Sequence, residues 1–395
     1  MTILAALAVL LVGGSAPGAP AVERRTLAEA LRIDAVSADL ADNPQLAQRL
    51  ATSPHGYFRF INIPFSRAVC EQFADVIPRL PTVTLQGDAH VEQYAVTSLG
   101  RGLTDFDDSS LGPPVIDLVR FGVSLRLAAR ARGWEGRQKR VLDAFFRGYR
   151  EALRDPSYVP AAPRLAETIR ATFKGDRGAC LERGETLMEA VTTPPESFEE
   201  AAKDYVAGIL GARPDLSSAY FHVKKYGRLR LGVGSALDRK YLLRIEGPTV
   251  APGDDVLIEA KEVRDLAEID CVVAPPGAER VLSGHARMAN QPFAFAGFVR
   301  YEDRIFWLHA WPDDYVELSI DDFRSPRDLE EIARDAGAQI GRGQPRQAAA
   351  DRQGALRSEL LASLGGQERR IRRVIDAMTA ATISAWQEFR RAATP

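Results

Sequence analysis

The sequence predicts an α+β protein in which a helical lobe holding one small hairpin comes first and an antiparallel sheet lobe second. Three observations carry this expectation. Apolar residues recur at helical spacing through 27–50 and again through 115–154; past residue 215 the pattern turns to short β-branched and aromatic runs separated by Gly-rich turns; after Pro326 the helical spacing returns. The boundaries that follow are a leader over 1–21, a helical lobe over 22–214, a sheet lobe over 215–322 and C-terminal helices over 323–395. With 395 residues and 46% hydrophobic composition, the chain can bury the core of two or three compact units.

Residues 2–14, TILAALAVLLVGG, form a short apolar run followed by Ala19-Pro20-Ala21, the small-residue pattern of a cleaved secretory signal, although no Lys or Arg precedes it. Cleavage implies an exported protein, periplasmic or secreted; without a genuine leader the chain is cytoplasmic. The run is short for a bilayer, so no stable membrane span is expected after its removal. Between Leu27 and Leu50, with a break at Asn43-Pro44, the periodicity predicts short scaffold helices. TVTLQ (82–86) reads as a strand and YAVTSLGRGLTDF as a hairpin turning at Gly100-Arg101-Gly102, which leaves GDAHVEQ on a loop between strands.

Gly112-Pro113-Pro114 stops extended structure and opens a helix from Val115 to Arg132, ended by Gly133. The next helix, Arg137 to Arg154, carries Val141, Leu142, Phe145, Phe146 and Tyr149 on one stripe, and further helices are expected over 162–172 and 181–211. FHVKKYGRLRLGVGSALDRKYLLRIEG, DVLIEAKEV, ERVL and PFAFAGFVRYEDRIFWLHAW read together as a twisted antiparallel sheet. The polar stretch GRGQPRQAAADRQG (341–354) reads as a mobile linker.

Lys plus Arg number 51 against 53 Asp plus Glu, a formal net charge of -2, so no overall basic field exists to hold nucleic acid or an anionic membrane. Cys70, Cys180 and Cys271 lack the C-x-x-C spacing of a zinc or redox site. Core thiols are the expectation, with one disulfide open if the protein is exported.

The residues that point to chemistry begin at GDAHVEQY. A phosphotransfer loop needs an Asp to accept the proton of the attacking hydroxyl and, five residues later, an amide that helps hold a metal; Asp88 and Gln93 have that separation, with Gln in place of Asn. A metal-binding Asp is then expected after the hairpin, where Asp105 lies, with Asp107 or Asp108 available to complete the shell. Alone, Asp88 is a turn residue after Gly87, and His90 an orienting partner rather than a metal ligand. Asp117, in the first turn of its helix, either pairs with Arg120 or braces the catalytic loop. Further on, Gly232-Val233-Gly234-Ser235 forms a turn of the kind that lays backbone N–H groups against phosphates, and LIEAKEV places Lys261 on a strand, sharing a face with Glu259 that is either cleft or solvent.

GDAH, the hairpin, and then DFDD with a later GP and DL-x-R resemble the signature of the DUF2252 family over residues 50–340. That family is associated with the protein-kinase-like, aminoglycoside-phosphotransferase-like superfamily. The resemblance implies a two-lobe kinase-like fold, circularly permuted because the catalytic loop precedes the nucleotide-gripping sheet. It implies ATP and Mg2+ as cofactors, Asp88 as base, Gln93, Asp105 and Asp107 as metal ligands, and Gly232, Gly234, Ser235 and Lys261 on the phosphates, with His90, Asp117 and Arg120 in support. The acceptor, a small molecule or protein hydroxyl, is left open. A non-catalytic nucleotide- or ligand-binding relative of pseudokinase type is the alternative, motivated by Gln93 and the leader.

Overall fold

The computed structural model describes residues 25–35 and 37–393, so the leader expected over 1–21 lies outside the described residues. The first segment is helical: α1 Leu27–Ala30, α2 Ala38–Ala41, α3 Pro44–Thr52, α4 Pro54–Phe60 and α5 Asn62–Gln72. Two of these helices have a local start signal. Thr26 and Glu29 form a reciprocal capping box on α1, and Ser53 caps α4 just before its Pro54.

Four short strands follow, β1 Val83–Leu85, β2 Tyr94–Thr97, β3 Arg101–Leu103 and β4 Ser110–Gly112. The β2–β3 hairpin turns over Ser98–Gly100 rather than at Gly100-Arg101-Gly102, because Arg101 and Gly102 are already in the ladder opposite Val96 and Ala95. β1 pairs with β4 across the loop that carries Asp88 and the Asp105–Asp108 run, so one antiparallel pair closes both acidic segments together.

Helices α6 Val115–Ala131 and α7 Gln138–Arg154 match expectation; after α8 Arg164–Arg170, the helical stretch expected over 181–211 consists of α9 Arg177–Leu187, the bridge strand β5 Met188–Glu189, α10 Pro195–Ala201 and α11 Lys203–Ala212. Pro194-Pro195 forbids a continuous helix there. These later helices pack on the sheet: Phe198 and Tyr205 cover one face with Tyr241, Leu243 and Ile258, and Cys180 and Leu181 cover the other with Leu229, Leu242 and Leu257.

The sheet contains β6 Val223–Leu229, β7 Lys240–Ile245, β8 Val256–Glu262, β9 Gly297–Tyr301 and β10 Arg304–Ala310, in the antiparallel order β5-β6-β7-β8-β10-β9. ERVL does not add a strand. It opens helix α12 Glu279–Met288, whose Val281, Gly284, His285 and Met288 recur at helical spacing on a buried face. β11 Tyr315–Glu317 leaves the sheet and joins β2 in the other lobe, tying the two together.

The chain ends in α13 Pro326–Gly343 and α14 Gln353–Ala393. The linker expected over 341–354 is largely ordered: α13 runs through Gly343, a 3-10 turn spans Gln344–Gln347, and Gln344 is fully buried. Polar composition misled here because the Gln344 amide is satisfied inside, accepting from the Tyr149 hydroxyl and donating to Asp117. Helices α7 and α13 cross closely over glycines; a Cβ on Gly337 would stand 2.3 Å from the Phe145 carbonyl oxygen and one on Gly148 2.0 Å from that of Arg334.

Cys70 on α5 and Cys271, in the segment after β8, form a disulfide, correcting the expectation of core thiols for those two; Cys180 stays a buried thiol. Among the described residues no helix is long and apolar enough to cross a membrane.

Candidate functional site

A cleft of about 460 Å3 opens between the sheet and the helical lobe, and Asp88, Gln93, Asp105, Asp107, Gly232 and Lys261 all line it. Its floor is the loop after β1. Gly87 adopts φ +91°, and a Cβ there would stand 1.9 Å from the Asp108 carbonyl oxygen, so only glycine lets the two acidic segments touch. Asp117 braces this loop: its carboxylate accepts from the backbone N–H of Gln86 and of Gly87, both at 3.0 Å. Burial pushes the Asp117 carboxyl up to about 6 against those bonds. Of the two roles left open for Asp117, bracing is the one observed.

Arg120 instead holds Asp88. Its Nε and Nη2 donate to Oδ1 at 2.8 and 2.5 Å, and the guanidinium lies over the Phe58 ring, 3.8 Å from the centroid. Burial pushes the Asp88 carboxyl up to about 7 against the Arg120 charge. His90 is buried as well, and burial with the nearby Arg59 charge drives its imidazole well below the usual range, so it is neutral at 3.8 Å from Asp88 Oδ2.

Gln93 sits where the amide was expected, but its carbonyl is engaged: Oε1 accepts from Gln86 Nε2 at 2.7 Å, while its Nε2 lies 3.5 Å from Asp88 Oδ2. Gln86 is a hub that the sequence did not flag. Its side chain also accepts from the Asp88 N–H at 2.8 Å and donates to the Asp105 carbonyl.

The acidic run is no solvated turn, because each carboxylate meets a cation. Lys261 Nζ lies 3.1 Å from Asp105 Oδ1 and 2.6 Å from Asp107 Oδ2, and Arg264 reaches both oxygens of Asp108 at 3.2 Å. Trp307 Nε1 donates to Asp107 at 2.7 Å, and Arg280 donates to the carbonyls of Asp107 and Ser109. Against burial, the Lys261 ammonium holds Asp105 below the usual carboxylate range; burial and then the Asp105 charge push Asp107 up to about 7. Lys261 thus faces the cleft, together with Glu259, which accepts from Trp311 Nε1 at 2.7 Å.

The Gly-rich turn covers the acids. Gly232 has φ +91°, and a Cβ on Gly234 would press the Arg59 carbonyl oxygen at 3.0 Å and touch Asp88 Oδ2 at 3.6 Å, so the turn lies close over Asp88. Arg264 ties turn and floor together, donating to the Gly234 carbonyl at 2.9 Å and to Asp238 at 2.6 Å. Arg264, Arg280 and Trp307 escaped sequence reading because single residues on separate elements carry no spacing signal; Arg264 alone had a hint, three residues past Lys261 in KEVR.

Among the described residues no group of three or more His, Cys, Asp or Glu side chains is arranged to hold a metal ion. Asp107 is buried and Asp105 partly exposed, and the two carboxylates share one ammonium; their oxygens are the donor type that a hard cation takes. No curated protein and no solved structure matches the chain. One family model does, over residues 43–169 and 162–392, and it takes in the loop, the acidic run and the Gly-rich turn alike: the chain belongs to DUF2252, described as an uncharacterized protein conserved in bacteria.

Proposed function

We propose that this protein is a kinase-like phosphotransferase that moves a phosphoryl group from Mg-ATP to a hydroxyl acceptor. The observation that carries the reading is convergence: a loop Asp, an acidic run, a Gly-rich turn and a strand Lys, distant in sequence, line one cleft. The arrangement of parts supports a permuted two-lobe kinase-like fold. The Gly-rich turn joins neighbouring strands β6 and β7, the next strand carries Lys261, and the catalytic-type loop lies opposite.

In this reading Asp88 accepts the acceptor's hydroxyl proton, with a carboxyl held near 7 as a general base requires. Asp105 and Asp107 hold Mg2+, which when bound neutralises charge on the phosphates. Lys261 orients those phosphates and the Gly232–Ser235 backbone covers them. Gln93 becomes a ligand only by giving up its bond to Gln86; as it stands, it orients Asp88.

That engagement, with the Arg120 clamp on Asp88, favours a second reading: a protein that binds a nucleotide and does not turn it over. Thermal unfolding with and without Mg-ATP, combined with γ-phosphate transfer to a panel of hydroxyl compounds, separates the two. A ligand at a hundred times its Kd stabilises by about 2.7 kcal/mol. Stabilisation with transfer that Asp88→Asn abolishes supports the phosphotransferase; stabilisation without transfer supports the binding protein; neither effect sinks both.

An exported location rests on the apolar leader and gains support from the Cys70–Cys271 disulfide, since such bonds persist in oxidising compartments. Intact mass of the protein from its native host tests it.

A further inference from the structure

The cations lining the cleft are not equivalent. Lys261 is shared by two carboxylates, Arg264 by Asp108 and Asp238, Arg59 pairs with Glu92, and the exposed Arg183 reaches only the Cys180 sulfur. Lys240, the first residue of β7, differs. Its side chain is 3% exposed and lines the cleft, yet its ammonium donates only to neutral oxygens, the Leu231 carbonyl at 2.8 Å and the Ser235 hydroxyl at 2.5 Å. Glu259, Asp107 and Asp105 act on it only at longer range, and among the described residues it forms no ion pair. It stands directly across the ladder from Lys261, so the two side chains leave the same face of the sheet.

A buried ammonium without a counterion is costly unless something anionic completes its environment. We propose that Lys240 is the seat of the ligand's phosphate group, a binding residue distinct from Lys261. This deepens the phosphotransferase reading and rests on the same cleft. The two neutral oxygens that Lys240 now holds belong to the ends of the Gly-rich turn, so an arriving phosphate exchanges with them and loosens that turn. As long as Asp105 and Asp107 pair with Lys261, Lys261 has the less free charge to offer.

The test uses the full chain and inorganic tripolyphosphate, which lacks any base or sugar. Calorimetry is expected to show binding by the wild type, weakened about tenfold or more in Lys240→Gln, the scale of one charge-assisted hydrogen bond, and retained in Lys240→Arg. Should Lys240→Gln fail to fold, hydrogen exchange on the wild type decides: saturating tripolyphosphate is expected to change exchange at residues 231–236. No tripolyphosphate binding by the wild type, equal binding by Lys240→Gln, or unchanged exchange at 231–236 overturns the proposal. The outcomes separate the two readings. Tripolyphosphate bound through Lys240 without ATP binding or transfer upholds the phosphate seat and removes the phosphotransferase, whereas transfer undiminished in Lys240→Gln does the reverse.

Discussion

Asp88 and Arg120 set opposing demands on one carboxyl. Burial holds the carboxyl near 7, whereas the guanidinium, buried with it, keeps the charged form in place. If Asp88 is the base, only its ionised form accepts a proton, so activity rises as pH rises through about 7 and levels off above it; a profile flat between about pH 5.5 and 8.5 argues against that role. Removing the partner exposes the cost of the pair. Arg120→Met leaves Asp88 buried beside Asp108 without its cation, and urea unfolding should report a loss of about 3–5 kcal/mol. The double variant with Asp88→Asn should recover part of that loss, because the stranded charge is then gone.

At the scale of elements, the site depends on helices that approach more closely than side chains normally allow. Helix α13 lies on α7 through Gly337 and Gly341, and the same helix sends Gln339 to both backbone groups of Leu103 in the hairpin. Gly337→Ala puts a Cβ 2.3 Å from a backbone oxygen that cannot rotate away, so the helices must separate, at a cost of about 1–3 kcal/mol. Gly365 on α14 is the control. Nothing lies within 4 Å of a Cβ there, so Gly365→Ala should stabilise by about 0.5–1 kcal/mol through helix propensity. Thermal melts of the two variants moving in the same direction would refute this account of the packing.

At the scale of the whole molecule, three ties hold the lobes around the cleft: β11 pairing with β2, the Arg264 network, and the Cys70–Cys271 disulfide with the Arg67–Glu268 ion pair beside it. The disulfide spans 201 residues of sequence, so it restricts the unfolded chain strongly. Cys70→Ser with Cys271→Ser, or reduction of the wild type, should lower stability by about 2–5 kcal/mol as measured by denaturant unfolding. Unchanged unfolding with and without reductant would show that the bond contributes nothing.

Local signals were enough for much of this protein. The apolar stripe of α7, the Pro-Pro start of α6, the β-branched run of β1 and the spacing from Asp88 to Gln93 and Asp105 are all written in neighbouring residues, because periodicity and loop spacing are short-range properties. Where the reading failed, distant contacts outweighed local character. ERVL is helical because its face packs on Trp307, and Gln344 is ordered because its amide accepts from the Tyr149 hydroxyl and donates to Asp117. Arg120 turned from Asp117 to Asp88 for a similar reason: both Asp117 oxygens already accept from the Gln86 and Gly87 backbone N–H groups, and the guanidinium instead meets Asp88 through two donors. Sequence alone determined which residues were candidates for the site. Only the tertiary structure decided which charges are already paired, since neutralisation depends on side chains brought together from segments that share no spacing, and Lys240 stands apart as a buried cleft cation that meets only neutral oxygens.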